Sequence, residues 1–405
     1  MARTRYGLST FIGSTGTGLP QPVFFDPHYP ILLNKPPVAL ITGSPGSGKT
    51  FLGLTLTAQA SVMGKTSFVI DPKGDFLALK KLERAHEIGK TTVWSIFSTE
   101  DNAEVSEDNY GLLDPLSLME NKDDNVALTV DVIESLVNNV SIAQSNALLP
   151  IIKDVSESKD PSLARVLRQL QSNQDAEIRN LGTKLDVPLK KSIAKLLVGR
   201  TKTDGYVNPF IKANGCTVVS LMGLSLPDAD QPEADYNSDE RLSTVIMRLL
   251  TQLILEAMQK QPKRIQKMLV VDEAWVVFGN KSGKKLINSA ALLGRSLNMA
   301  IILATQSPRH IMTKDDGGGS TLDTTISTRF AFRNDSDTDN SLNRKAMKLP
   351  EGEGWENVFP AFETGQCMMK DCANGRAIMD VITTKSWARA FNTNPFASLE
   401  SNKNK

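Results

Sequence analysis

The segment Gly43-Ser44-Pro45-Gly46-Ser47-Gly48-Lys49-Thr50 fits the phosphate-binding (Walker A) pattern G-x-x-x-x-G-K-[ST]. Backbone N–H groups converge on phosphate oxygens only where no side chain intervenes. Glycines give that room, and a helix N-terminus adds the positive end of its dipole. Lys49 then reaches the β and γ phosphates, and the Thr50 hydroxyl is a ligand for Mg²⁺, so the eight residues point to ATP with Mg²⁺. Hydrolysis further asks for a carboxylate that supports the metal, a base for the water, a γ-phosphate sensor and late positive charge. Asp272 and Glu273 end the apolar run Met268-Leu269-Val270-Val271 in the manner of a Walker B strand. Asp272 is suited to hold the Mg²⁺ coordination sphere through a water, and Glu273 to orient and deprotonate the attacking water. Gln306 ends the next apolar run and would hydrogen-bond the γ-phosphate or the water. A carboxylate pair also marks an ordinary strand boundary, and a glutamine an ordinary strand end; the complete phosphate loop upstream favours the catalytic reading. Arg295, Arg329, Arg333 and Arg376 lie near strand ends and are the candidates for the late charge.

These groups need a scaffold that brings several strand ends together. Val38-Ala39-Leu40-Ile41 precedes the loop and Phe51-Leu52-Gly53-Leu54 follows it, which reads as strand, turn and helix. Runs 66–71, 91–97, 216–221, 267–271 and 299–305 are β-rich, and several end in polar residues, where open α/β sheets build ligand sites. Alternation of strands and helices predicts an α/β fold with a mostly parallel sheet. Between residues 121 and 204 no strand is expected. Val126, Val130, Ile133 and Val137 recur at helical spacing, Pro150, Pro161 and Pro188 divide the stretch, and Pro161 suits a first helical turn. The division expected is a lead-in over 1–36 that adds an edge strand, a core in two parts over 37–120 and 205–385, an all-α insertion over 121–204, and a polar tail over 386–405. Ser238 is the expected N-cap of a helix running to about Gln259. The basic stretch Lys184, Lys190, Lys191, Lys195, Arg200 and Lys202 reads as a solvated face or as a partner or nucleic-acid surface, and the insertion is expected to stay away from the nucleotide.

Composition narrows the class. The 405 residues carry 46 basic and 45 acidic side chains, net +1, so a protein that coats polyanions is excluded and any DNA contact must come from a local patch. Cys216, Cys367 and Cys372 are an odd number without metal-ligand spacing, which fits a reducing cytosol. No apolar run approaches the roughly 20 residues of a membrane span.

The loop at 43–50, Asp71-Pro72-Lys73-Gly74-Asp75, Val271-Asp272-Glu273-Ala274-Trp275 and Ala304-Thr305-Gln306 together resemble the C-terminal ATPase domain of the TraC/VirB-type ATPases of conjugation and type IV secretion, in the HerA/FtsK group. Segments 328–334 and 364–366 extend the likeness over nearly the whole chain. The resemblance implies a RecA-like P-loop NTPase with an all-α insertion and assembly into a hexameric ring. It also implies ATP-driven work at the cytoplasmic face of a membrane secretion complex, in contact with its inner-membrane components, and an arginine finger at Arg295. Family members usually carry a large N-terminal domain that docks on that complex, and this sequence begins just before the motor, as part of such a chain or a split motor would. Two further readings share the motifs: a DNA translocase or conjugative coupling protein, and a nucleotide-binding scaffold without turnover.

Overall fold

The computed structural model describes residues 9–16, 19–97, 104–199, 208–228, 231–278, 281–312 and 324–392. Eleven strands form one sheet: β1 (Thr10–Thr15), β2 (Pro22–Phe25), β3 (Val38–Thr42), β4 (Thr66–Asp71), β5 (Thr91–Ser95), β6 (Cys216–Ser220), β7 (Lys267–Val271), β8 (Met299–Thr305), β9 (Thr328–Phe332), β10 (Gln366–Lys370) and β11 (Arg376–Val381). Their spatial order is β2-β1-β11-β10-β9-β3-β8-β7-β4-β6-β5. From β9 to β5 every neighbouring pair is parallel, and from β2 to β9 every pair is antiparallel. The central strands β3, β7 and β8 are buried along their whole length, which is why they read as unbroken apolar runs.

Strand periodicity assigns the two faces. Val38 and Leu40 of β3, Phe68 and Ile70 of β4, and Ile301 and Leu303 of β8 point into one core. Ala39, Ile41, Val69, Ile302 and Ala304, one residue out of phase, point into the other. The second face carries α1 (Lys49–Val62), the helix that follows the glycine-rich loop. The first face carries the helices of the central segment: α2 (Lys122–Leu136), α3 (Ile142–Glu157), α4 (Leu163–Gln171) and α5 (Ala176–Leu189), together with α6 (Ser238–Lys260). One continuous core joins these helices to the sheet, so the segment between β5 and β6 is docked on the sheet rather than tethered beside it. The remaining helices named below are α7 (Lys281–Leu297), α8 (Asp337–Met347) and α9 (Lys385–Phe391). No helix among the described residues is long and apolar enough to cross a membrane.

Several local expectations change. The N-cap of α6 is Asn237, not Ser238. Its side chain accepts from the Asp239 and Glu240 N–H groups, and Glu240 returns a bond to the Asn237 N–H, a reciprocal capping box. Pro150 lies inside α3 and Pro188 inside the last turn of α5, so neither divides helices; burial of Leu148, Ile152 and Val155 carries α3 past the missing donor. Pro161 stands one residue before the N-cap Ser162 of α4 instead of within its first turn. The lead-in contributes two strands, β2 as foreseen and β1, which pairs with β11. The expected polar tail begins inside α9, whose Trp387 and Phe391 are buried; residues beyond 392 lie outside the described part. Arg200 and Lys202 of the basic stretch also lie outside it.

Candidate nucleotide site

Residues 43–50 leave the C-terminal end of β3, at the centre of the sheet, and turn into α1. Two glycines make the turn possible. A Cβ on Gly43 would lie 2.7 Å from the Phe332 Cβ and 3.1 Å from the Arg333 carbonyl. Gly48 has φ +109° and packs on Gly365, where a Cβ would meet backbone at 3.0 Å. The loop is pinned from outside: the Ser44 N–H donates to the Arg333 carbonyl (2.8 Å) and the Gly365 N–H to the Ser47 carbonyl (2.9 Å). Lys49 curls back, its Nζ donating to the Gly43 and Ser44 carbonyls at 2.6 and 2.9 Å. Burial pulls this ammonium down to about 8 against the upward pull of Glu273 and Asp272. Loop carbonyls therefore occupy the donors that an arriving phosphate would take.

The ends of β4, β7 and β8 surround the loop. Asp272 follows β7 and is 3% exposed. Burial, then the neighbouring charges of Glu273 and Asp71, push its carboxyl up to about 7. Its Oδ2 is buried without a hydrogen-bond partner among the described residues. Glu273 takes φ +53°, a left-handed backbone costing a non-glycine residue about 1–2 kcal/mol. The turn is fixed by the Ala274 N–H, which donates to the Ala304 carbonyl at 2.7 Å. Three donors surround the Glu273 carboxylate: the Lys73 ammonium, the Trp275 Nε1–H at 2.7 Å and the Gln306 Nε2–H at 3.4–3.5 Å. Burial raises its pKa, but the Lys73 hydrogen bond and charge, with Trp275 and Lys49, more than offset this and hold it below the usual carboxylate range.

Lys73 comes from the turn after β4, and that turn is shaped by Asp71. The fully buried Asp71 carboxyl accepts from the Gly74 N–H (2.8 Å) and the Phe76 N–H (2.9 Å), and burial pushes it up to about 6. The cavity over the loop measures about 520 Å³. It is lined by residues of the phosphate loop with Lys73, Asp75, Glu273, Thr364 and Gly365, and also by the apolar Phe51, Leu54, Val381, Ala388 and Phe391. The Phe51 and Phe391 rings meet edge to face, centroids 5.9 Å apart.

Thus Gly43, Ser44, Pro45, Gly46, Ser47, Gly48, Lys49, Thr50, Asp272, Glu273 and Gln306 gather at one end of the sheet. Arg295 does not. It ends α7, exposed, and its Nη1 donates to the Asn34 carbonyl (3.2 Å) ahead of β3, at the opposite end of the strands. Arg333 is the one of the four arginines that borders the loop, through its carbonyl; Arg376 caps the Lys348 carbonyl far from it. Lys73, Thr364, Gly365 and Phe391 were not among the expected site residues. The Asp-Pro-Lys-Gly-Asp turn at a polar strand end was a signal for Lys73; nothing in the sequence marked Phe391.

A profile described as "AAA-like domain" matches residues 33–391. The chain belongs to the AAA-like domain family. This AAA-like domain is 22% identical over 349 residues to "Uncharacterized protein YddE" of Bacillus subtilis (strain 168), covering 83% of the chain but only 40% of that relative's length. Among solved structures it is similar to VirB4 of Thermoanaerobacter pseudethanolicus, with TM-score 0.70 and 13% identity over 95% of this chain and 99% of that one. It is also similar to the bacterial conjugative coupling protein TrwBΔN70, with TM-score 0.58 and 13% identity over 95% and 91%. A TrwB structure in complex with ADP and Mg²⁺ matches at TM-score 0.56 and 12% identity over 86% of each chain. At these identities the likeness establishes the shared α/β fold of the AAA-like domain.

Proposed function

We propose that this AAA-like domain hydrolyses ATP with Mg²⁺ and that the hydrolysis powers type IV secretion or conjugative transfer. The observation that carries the reading is the buried pair at the end of β7. Asp272 presents a carboxylate oxygen unpartnered among the described residues, and Glu273 is held by three donors toward the cavity of the phosphate loop. A scaffold without turnover has no use for a second, left-handed carboxylate there. Thr50 and Asp272 fit as the residues that hold Mg²⁺, since a cation supplies the partner that Oδ2 lacks and favours the ionised Asp272. When bound, Mg²⁺ neutralises charge on the β and γ oxygens. Lys49 exchanges the loop carbonyls for phosphate oxygens. Lys73, half exposed and paired with Glu273, moves to the γ-phosphate, which frees the carboxylate to take a proton from the attacking water. Gln306, already within reach of Glu273, orients that water.

The motif resemblance to the conjugation and type IV secretion ATPases is what supports assembly as a hexameric ring at the cytoplasmic face of an inner-membrane secretion complex, and the fold shared with VirB4 is compatible with it. The likeness to a conjugative coupling protein supports a second reading, a motor that pumps DNA directly. Turnover measurements test the chemistry. Glu273→Gln should bind ATP at parental affinity while hydrolysis falls by about 10²- to 10⁴-fold; Lys49→Ala should lose binding or turnover. Parental hydrolysis by Glu273→Gln would remove the base assignment. Stimulation by DNA would favour the pump, and stimulation by secretion components without DNA the leading reading.

A further inference from the structure

The α8 helix buries polar side chains on the face where a helix ordinarily buries apolar ones. Asp339, Asn340 and Asn343 are 3%, 0% and 2% exposed, and each is bonded to a residue at or just beyond the end of β3, β8 or β9. Asp339 is the titratable member. Its Oδ1 accepts from the Ser307 hydroxyl (2.7 Å) and the Arg309 Nε–H (2.9 Å), both on the segment that leaves β8. Its Oδ2 accepts from the Asn334 Nδ2–H (3.2 Å), just beyond β9. A buried carboxylate is costly unless donors replace its water, and these three donors all come from outside the helix.

The bonds join two segments of the nucleotide site. Ser307 directly follows Gln306, and the Asn334 amide also lies 3.5 Å from the Gln306 carbonyl. Arg333, which precedes Asn334, holds the Ser44 N–H of the phosphate loop on its carbonyl at 2.8 Å. Further along the same helix, the Asn343 Oδ1 accepts from the Thr42 hydroxyl at 3.2 Å, one residue before Gly43. One helix thus grips the residue after Gln306, the residue before the phosphate loop and the segment that pins that loop.

Helix capping does not account for Asp339. Ser336 is the N-cap of α8, and Asp339 stands three residues on, where the acceptor side chain of a capping box turns back to the N-cap N–H. The Ser336 N–H is taken instead by the Asn334 Oδ1 at 3.0 Å, and Asp339 is turned toward β8. Nor does the helix dipole require a buried acid, since the exposed Asp337 in the first turn meets it.

We propose that Asp339 is a positioning residue for γ-phosphate recognition: through Ser307 and Asn334 it fixes Gln306 relative to the phosphate loop, so that filling the loop is felt at Gln306. This role rests on the proposed action of Gln306 on the attacking water, and adds the group that sets its place. A carboxylate suits the post because it only accepts. An amide would turn its NH₂ against the Arg309 or the Asn334 donor.

A double-mutant cycle on the full chain is the test. Asp339→Asn should keep the affinity for a non-hydrolysable ATP analogue, because the Gly365 N–H still pins the loop at Ser47, while kcat falls by roughly ten- to a hundredfold. Ser307→Ala withdraws one donor, leaves the Asp339–Arg309 pair, and should lower kcat less; it keeps the question decidable should Asp339→Asn lower the melting temperature. Neither change should lower kcat further in a Gln306→Ala background, because the effect passes through that residue, whereas a merely structural loss would multiply with it. Parental turnover in folded Asp339→Asn and Ser307→Ala, or losses that multiply with that of Gln306→Ala, would overturn the proposal. Parental turnover in Gln306→Ala would do the same, since nothing would remain to be positioned. Should the parent itself not hydrolyse ATP, the hydrolysis reading falls and hydrogen exchange decides the coupling by itself. Filling the loop with the analogue should then slow exchange across 305–309 in the parent and not in Asp339→Asn; equal protection in both, or none in either, overturns the proposal.

Discussion

Asp272 shows what the site costs the fold. Its carboxyl is raised from 3.8 to about 7 by burial beside Glu273 and Asp71, equivalent to roughly 4 kcal/mol of differential interaction. The sign follows from linkage. A folded-state pKa above the unfolded one gives stability that is complete below about pH 4 and is lost as pH rises through 7. Asp272→Asn removes the ionisation, so the nucleotide-free variant should melt higher than the parent, with a larger gain at pH 8 than at pH 5. Thermal unfolding at the two pH values checks this, and an equal or reversed gain would mean that Asp272 is not a strained carboxylate. Mg²⁺ with ATP should narrow the difference, because a cation stabilises the ionised parent and offers nothing to the amide. Lys73 plays the complementary part. Glu273 is kept ionised by the ammonium of Lys73, so one residue carries the charge problem and its neighbour the relief.

The elements divide into those with a strong pattern of their own and those that owe their form to a partner. β3, β4, β7 and β8 were legible because each is an unbroken apolar run closed by polar residues, and the phosphate loop because its motif sits between a strand and a helix. β1 was not, since Thr10-Phe11-Ile12-Gly13-Ser14-Thr15 has a weak pattern of its own and gains its strand from β11 at the far end of the chain. The cap of α6 was misplaced by one residue because Asn237 and Ser238 are both good caps; only the return bond from Glu240 selects the asparagine. The Lys73–Glu273 pair joins positions two hundred residues apart and is made by the β4–β7 pairing, which strand order alone reveals. The helical segment between β5 and β6 supports a prediction at this scale. Lys190 pairs with Asp186 (2.5 Å), Lys191 with Asp239 (2.5 Å), and Lys195 donates to the Tyr110 hydroxyl (3.0 Å). No described residue of the segment lines the cavity over the phosphate loop. Replacing the three lysines by glutamate should therefore leave ATP affinity at the parental value while lowering the melting temperature modestly, because Lys191→Glu faces Asp239. A large loss of ATP binding in the folded triple variant would place this segment at the nucleotide.

For the whole molecule the question is whether one copy is sufficient for turnover. Arg295 is exposed at the end of the sheet where β3 and β8 begin, while the phosphate loop follows the end of β3. The five residues of β3 span about 17 Å, more than an arginine side chain covers, so Arg295 is out of reach of the nucleotide site of its own chain. Any catalytic use of it must be in a second copy. The transition state of phosphoryl transfer spreads negative charge over equatorial oxygens, and an arginine supplied by a neighbour is worth roughly 10³- to 10⁵-fold in some systems. The specific activity of the intact chain should then rise steeply with protein concentration. Mixing Arg295→Ala with Lys49→Ala subunits isolates the contact. Each variant alone is expected to be nearly inactive, one lacking the finger and the other the phosphate cradle. In a mixed ring, an Arg295→Ala subunit next to a Lys49→Ala subunit pairs an intact phosphate loop with an intact arginine, and turnover returns at that joint. Co-assembly is followed by size-exclusion chromatography with light scattering, and ATP turnover is read on the same fractions. Mixed rings that form but recover no turnover would leave Arg295 as the surface hydrogen-bond donor to Asn34 that it is within one chain, and would return Arg333, beside the phosphate loop, to first consideration.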